Sequence, residues 1–265
     1  MRPTNHLTFT TPVHRLLACL AMSAIDHLAR FAPLILVALV VGGGLVVVLL
    51  WGRTKNLRYG WPVAGLAALF ASIYVFIELA DEVEADEDLH QFDLALAGAM
   101  DKTSPDFVLT AFQWITHLGD GWTITALGIA VGLALGYWRR WRLLWAWTIA
   151  LAGSALLNEL LKAVFERGRP PASTLTDSWS FPSGHAMNSL VAYGMLSYLL
   201  LRVAPPDWRP GIIAAAVAVV LLVGGSRLFL QAHYLSDVLA GYAAGMAWLI
   251  MMIAAAQRCS GGRAN

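Results

Sequence analysis

Three polar clusters in the second half of the chain combine residue types that suit a phosphate group. Lys162 is followed after six residues by Arg169 and Pro170; Pro182, Ser183, Gly184 and His185 are contiguous; Ser226 and Arg227 are followed after five residues by His233 and, after three more, by Asp237. Each guanidinium can grip a pair of phosphate oxygens in fork geometry, which a lysine cannot. Together Lys162, Arg169 and Arg227 suit a dianionic ester. Pro182-Ser183-Gly184 reads as a helix start, where Ser183 can cap, Gly184 lets backbone come close, and free N–H groups attract an anion. His185 then falls in the first helical turn. His233 and Asp237 are four apart and share a face if helical, so the carboxylate can hold one ring nitrogen protonated while the other stays free. A free imidazole nitrogen beside phosphorus is a nucleophile, and His185 is the candidate general acid for the leaving alkoxide.

The elements that must position these clusters are apolar runs. The 265 residues are 58% hydrophobic and 13% charged, with a mean hydropathy of +0.62. Such a composition excludes an ordinary soluble domain and indicates a polytopic membrane protein. Spans are expected at 31–51, 61–80, 122–138, 143–165, 186–201, 211–228 and 234–256, the first an uncharged run long enough for a bilayer core of about 30 Å. An amphipathic helix is expected over 14–30, and one or two interfacial helices over 91–118 form a collar around the substrate's entrance. The acidic run over 81–88 reads as a solvated loop. Trp51, Trp61, Trp122, Trp138, Trp141 and Trp145 lie at span ends as aromatic anchors.

Charge between the spans gives an orientation. Arg53, Lys55 and Arg58, then Arg139, Arg140 and Arg142, then Arg202 and Arg209, then Arg258 and Arg263 fall on one side if each span crosses once. The positive-inside tendency makes that side cytoplasmic and puts all three clusters on the other, periplasmic or extracellular, face. A net charge of +1 without a basic aromatic stripe gives no sign of nucleic acid, and no protein partner is indicated. Cys19 and Cys259 form neither a metal motif nor a disulfide framework. His6, His14, His27, His90 and His117 lack chemical company and read as interfacial or satisfied polar groups. Glu159, three residues before Lys162, reads as that lysine's structural partner, and Asn158 can share their helical face.

At the three clusters the sequence resembles the phosphatidic acid phosphatase type 2 superfamily of integral-membrane lipid phosphatases. Its Lys-x6-Arg-Pro, Pro-Ser-Gly-His and Ser-Arg-x5-His-x3-Asp patterns are all present, complete and in order. The resemblance implies an all-α polytopic transmembrane bundle, with a six-helix core over 89–265 and an N-terminal addition over 1–88. It implies a metal-independent, cofactor-free mechanism through phosphohistidine, with His233 as nucleophile, Asp237 as its orienter and His185 as general acid. Phosphate contact carries over to Lys162, Arg169, Ser183, Gly184 and Arg227. The implied substrate is a lipid phosphate at the non-cytoplasmic face of the cell membrane: phosphatidate, phosphatidylglycerol phosphate or polyprenyl diphosphate. An undecaprenyl-diphosphate phosphatase is a narrower alternative. The soluble vanadium haloperoxidases share the motifs, but the apolar spans speak against them. A transporter or channel lined by Asn158, Glu159 and Lys162 is the alternative of another class.

Overall fold

The computed structural model describes residues 60–85, 87–103, 105–173 and 178–260. The amphipathic segment 14–30 and the first expected span, 31–51, lie outside the described residues. Helices α1 (Gly60–Ala85), α2 (Glu87–Thr103), α3 (Asp106–Thr116), α4 (Gly121–Tyr137), α5 (Trp141–Phe165), α6 (Gly184–Leu201), α7 (Arg209–Phe229) and α8 (Leu235–Ser260) follow one another, and no strand occurs among the described residues. Four of them are long and apolar enough to cross a membrane, over Val63–Val83, Trp141–Phe165, Pro206–Phe229 and Leu235–Arg258. Helices α3 and α4 become a fifth span if taken as one, bent by 43° at the break between Gly119 and Gly121.

The expected span at 186–201 differs from the others. Helix α6 covers it but is not among the helices apolar enough to cross by themselves. Its polar side chains are tolerated because α6 is the interior helix, packed against α5, α7 and α8. Ser197 donates to the Tyr193 carbonyl at 2.8 Å, and Asn188 accepts from Ser154 at 2.6 Å, so little hydrogen-bonding capacity is left facing apolar surroundings. Ala186, Met187, Leu190, Val191 and Met195 fill the space between.

Helix α8 is the other central element: two thirds of its apolar window (67%) is buried, against 17% for α5, which lies at the periphery of the described bundle. Helix α1 lies along α8, so a helix preceding residue 89 packs directly on the last helix of the bundle. The acidic run is not a loop. Helix α1 continues through its first part to Ala85, and α2 begins at Glu87. Exposed tryptophans mark both ends of the bundle, with Trp138, Trp141, Trp145 and Trp208 at one and Trp114 and Trp122 towards the other. These are the amphipathic rings expected at headgroup level.

The alternation of helix direction collects the functional segments. The end of α5, the start of α6, the end of α7 and the start of α8 share one end of the bundle. Arg139, Arg140 and Arg142 between α4 and α5, Arg202 and Arg209 between α6 and α7, and Arg258 near the end of α8 share the other. Two of the junctions at the functional end are made by non-glycine residues in the left-handed region: Glu166 (φ 42°) ends α5 and Gln231 (φ 53°) follows α7. Each costs of order 1 kcal/mol against a right-handed conformation, and each turns the chain into a loop carrying a site residue.

Candidate active site

His233 sits in the loop before α8 and is almost wholly buried. Its Nδ1 lies 3.5 Å from Asp237 Oδ2 and 3.3 Å from the Ser180 hydroxyl, while its Nε2 lies 3.3 Å from the Arg169 guanidinium. The ring is therefore backed by a carboxylate on one side and faces a cation on the other. Burial pushes its pKa down to about 4; Asp237 pulls it up, and Arg227 and Arg169 push it further down. The imidazole is thus neutral at physiological pH, with a lone pair available on one nitrogen.

Asp237 is held from several directions. The Tyr234 backbone N–H donates to Oδ2 at 2.9 Å, Ser180 donates a short hydrogen bond, and Arg167 donates to Oδ1 at 2.5 Å. Arg167 also donates to the Ser236 hydroxyl at 2.7 Å and to Asp93 of α2 at 2.9 Å, with its guanidinium 4.6 Å above the Tyr234 ring. Burial works against its charge, and the carboxylates of Asp237 and Asp93 more than offset it. Arg167 is a fourth cation that the sequence reasoning passed over, although it stands two residues before Arg169. It is committed to the carboxylates.

Arg169 is braced by the Ser178 carbonyl at 2.8 Å and the Ala232 carbonyl at 2.5 Å. Lys162, at the end of α5, lines a cavity of about 710 Å³ together with Arg169, Glu159, Gly168, Pro170, Ser178 and Trp179. Glu159 is Lys162's partner at 3.4 Å, as expected. Asn158 does not join that face. It is buried, and it donates to the Pro182 carbonyl at 3.2 Å, so these three side chains do not line a common path. Arg227 reaches from α7 to Thr116 at 2.7 Å, and its Nε is buried without a hydrogen-bond partner among the described residues.

The Pro182–His185 turn opens α6, with Ser183 at the N-cap position. The expected capping hydrogen bond is absent; the Ser183 hydroxyl is buried and has no hydrogen-bond partner among the described residues. Its backbone N–H donates instead to the Asp237 carbonyl at 2.9 Å, tying the turn to the start of α8. Gly184 is needed for close approach, though to a side chain: a Cβ there would lie 2.7 Å from Asn158 Oδ1. His185 meets Asp120, whose Oδ1 is 2.9 Å from its Nε2. The charges of Arg227 and His233 also act on His185.

The structure thus gathers His185, His233, Asp237, Ser183, Gly184, Arg169 and Arg227 at one end of the bundle, with Lys162 joining through the cavity it shares with Arg169. Asp93, Asp120, Arg167 and Ser180 join them without having been singled out from the sequence. Ser180, three residues before Ser183, and Arg167 had a signal in their proximity to the motifs. Asp93 had none.

A buried histidine backed by a carboxylate and faced by guanidiniums lies at one end of a helical bundle of which several members are apolar enough to cross a membrane, the class of a polytopic membrane protein. The PAP2 superfamily sequence model matches residues 142–260. Phosphatidylglycerophosphatase B of Bacillus subtilis (strain 168) is 34% identical over 137 residues, which are 50% of this chain and 67% of that one. Lipid A 1-phosphatase of Rhizobium johnstonii is 34% identical over 113 residues, 38% of this chain and only 42% of the relative. Among solved structures, the transmembrane PAP2-type phosphatidylglycerolphosphate phosphatase from Bacillus subtilis superposes with a TM-score of 0.68 at 26% identity, covering 74% of this chain and 98% of that one. The chain belongs to the PAP2 superfamily, which bears out the resemblance carried by its motifs.

Proposed function

We propose that this protein is a metal-independent lipid phosphatase that removes the terminal phosphate of a lipid at the non-cytoplasmic face through a phosphohistidine intermediate. The observation that carries the reading is the environment of His233, whose Nδ1 faces Asp237 while Nε2 faces Arg169. A neutral ring in that setting can attack a phosphorus whose oxygens lie on Arg169, Arg227 and Lys162 and on the otherwise unpartnered Ser183 hydroxyl. In the first half-reaction His233 Nε2 bonds to phosphorus as the bond to the leaving oxygen breaks, and its electron pair stays on that oxygen, which takes a proton from His185. In the second, water attacks phosphorus, His185 takes a proton from the water, and the electron pair of the P–N bond returns to His233. The cations stabilise the equatorial charge of both transition states.

The relatives named for phosphatidylglycerophosphate and lipid A 1-phosphate favour a phosphomonoester lipid over a diphosphate. The basic ends of the helices opposite the site favour the outer face. The test is phosphate release by the purified protein in detergent from phosphatidate, phosphatidylglycerol phosphate and a polyprenyl diphosphate, with and without EDTA. Release from a monophosphate lipid that is unchanged by EDTA is expected. Absence of release from every lipid would overturn the reading in favour of a non-enzymatic membrane protein, and loss in EDTA restored by a divalent ion would overturn its metal independence.

A further inference from the structure

Asp120 occupies the break between α3 and α4, at the N-cap position of α4, where an aspartate ordinarily turns its carboxylate back onto the helix's first free N–H groups. This one makes no such bond. Its carboxylate points instead at two imidazoles: Oδ1 is 2.9 Å from His185 Nε2 and Oδ2 is 2.7 Å from His117 Nδ1. The preceding turn is fixed against α6, because the Tyr193 hydroxyl donates to the Leu118 carbonyl at 2.8 Å. Gly119 is tight against the same ring: a Cβ there would lie 3.1 Å from His185 Cδ2. The bend in the α3–α4 pair thus presents a carboxylate to one particular nitrogen of His185.

We propose that Asp120 is the positioning residue of the general acid, holding His185 Nε2–H so that the proton given to the leaving group sits on Nδ1. The inference rests on the reading of His185 as that acid. A proton can be donated from Nδ1 while Nε2 keeps its own only from a doubly protonated ring, and a carboxylate at Nε2 favours that ring. After transfer the ring is neutral, with Nε2–H still on Asp120, and Nδ1 is free to accept a proton from the attacking water. The arrangement mirrors that of His233, whose Nδ1 faces Asp237 and whose Nε2 is left for phosphorus. His117 supports the device from outside, since its exposed ring donates to the other carboxylate oxygen. That hydrogen bond and the one from His185 hold the Asp120 carboxyl below its usual range although burial works the other way. Burial, and after it the charges of Arg227 of α7 and of His233, push the His185 pKa down to about 4, and Asp120 is the group that pulls it back up, so the carboxylate works against every other influence on the ring and does so together with the negative charge of a bound phosphate.

The test compares Asp120→Asn and His185→Ala on an alkyl phosphate lipid and on p-nitrophenyl phosphate, whose phenolate leaves without an acid. In Asp120→Asn, kcat on the alkyl ester should fall roughly 10- to 100-fold with little change in KM. The first turnover of p-nitrophenyl phosphate, read as a burst of nitrophenolate, should persist, which also reports a folded site. The alkaline limb of kcat should move to lower pH by about one pH unit, because the group favouring the protonated ring has lost its charge. The double variant should be no slower than His185→Ala. A selective defect in His185→Ala with none in Asp120→Asn, or an unmoved alkaline limb, would overturn the role of Asp120 alone. Equal losses in the first-turnover rate on both esters in His185→Ala would overturn the general-acid reading and this inference with it.

Discussion

Arg167 donates to Asp237 at 2.5 Å from a position seventy residues earlier in the chain, and both side chains are buried. The pair links the loop after α5 to the first turn of α8, and through Asp93 it also fastens α2. A cation thus holds the carboxylate that faces His233.

Removing Arg167 should therefore act on stability and on activity together. Arg167→Met leaves Asp93 and Asp237 as neighbouring buried carboxylates without their counterion, a change of the kind that costs about 3–5 kcal/mol. The expected outcome is a lowered unfolding midpoint in detergent and a large fall in kcat, with Arg167→Lys recovering part of the stability but little of the activity, because an ammonium lacks the fork that spans both carboxylates. A variant with wild-type kcat would show that Asp237 needs no such support.

Acid should switch the enzyme off only at low pH. His233 must be neutral to attack, and burial pushes its pKa down to about 4, so the acid limb of kcat/KM should lie near pH 4 and not in the usual histidine range. Asp237 favours the protonated ring. Asp237→Asn should therefore lower the rate while moving the acid limb to still lower pH. The pH profiles of the two forms check this; a limb near pH 6.5 in the parent would place the nucleophile in a far more solvated setting.

Gly184→Ala should damage the site through Asn158. The new Cβ would lie 2.7 Å from Asn158 Oδ1, and the cost of overpacking is typically about 1–3 kcal/mol. Because Asn158 holds the Pro182 carbonyl, the displaced group is the turn carrying Ser183 and His185. A fall in kcat/KM accompanied by a lower unfolding midpoint is expected. Asn158→Ala combined with Gly184→Ala should recover part of the stability; no recovery would mean that the clash lies elsewhere.

Cysteines at opposite ends of α5 report the orientation. One placed at Ala172, in the loop after that helix, should react with an impermeant thiol reagent in intact cells, whereas one at Trp141, at its start, should not. The reverse pattern would put the site in the cytoplasm.

Most of the fold that positions the site was legible in the sequence because membrane helices announce themselves by apolar length, and the described long helices fall where the runs end. The run at 186–201 was legible as a helix, but its place in the interior was not, because hydropathy cannot distinguish a lipid-facing helix from one whose serines and asparagine are satisfied by neighbours. The acidic run 81–88 read as a loop since charge density argued for solvent, yet helical geometry tolerates glutamates and aspartates at its ends. Within the candidate site, fixed spacings exposed the residues of the three motifs. The groups behind them were hidden because each is brought in by tertiary packing: Asp93 from α2, Thr116 from α3 and Asp120 from the bend before α4. His117, read as an interfacial or satisfied polar group, is a satisfied one, but its partner Asp120 was hidden because that connection too spans a helix boundary.

The central claim is a covalent bond between phosphorus and His233, and alkaline quenching of turnover with a radiolabelled phosphate ester tests it most directly, since phosphohistidine survives base and is lost in acid. Using p-nitrophenyl phosphate with the His185→Ala variant separates the half-reactions: the phenolate leaves unaided, while hydrolysis of the intermediate lacks its base. The expected result is label that accumulates on the protein, maps to His233, disappears in acid and is absent from His233→Ala. Steady release of phosphate with no label on the protein at any quench time, or label that remains after His233 is removed, would contradict it.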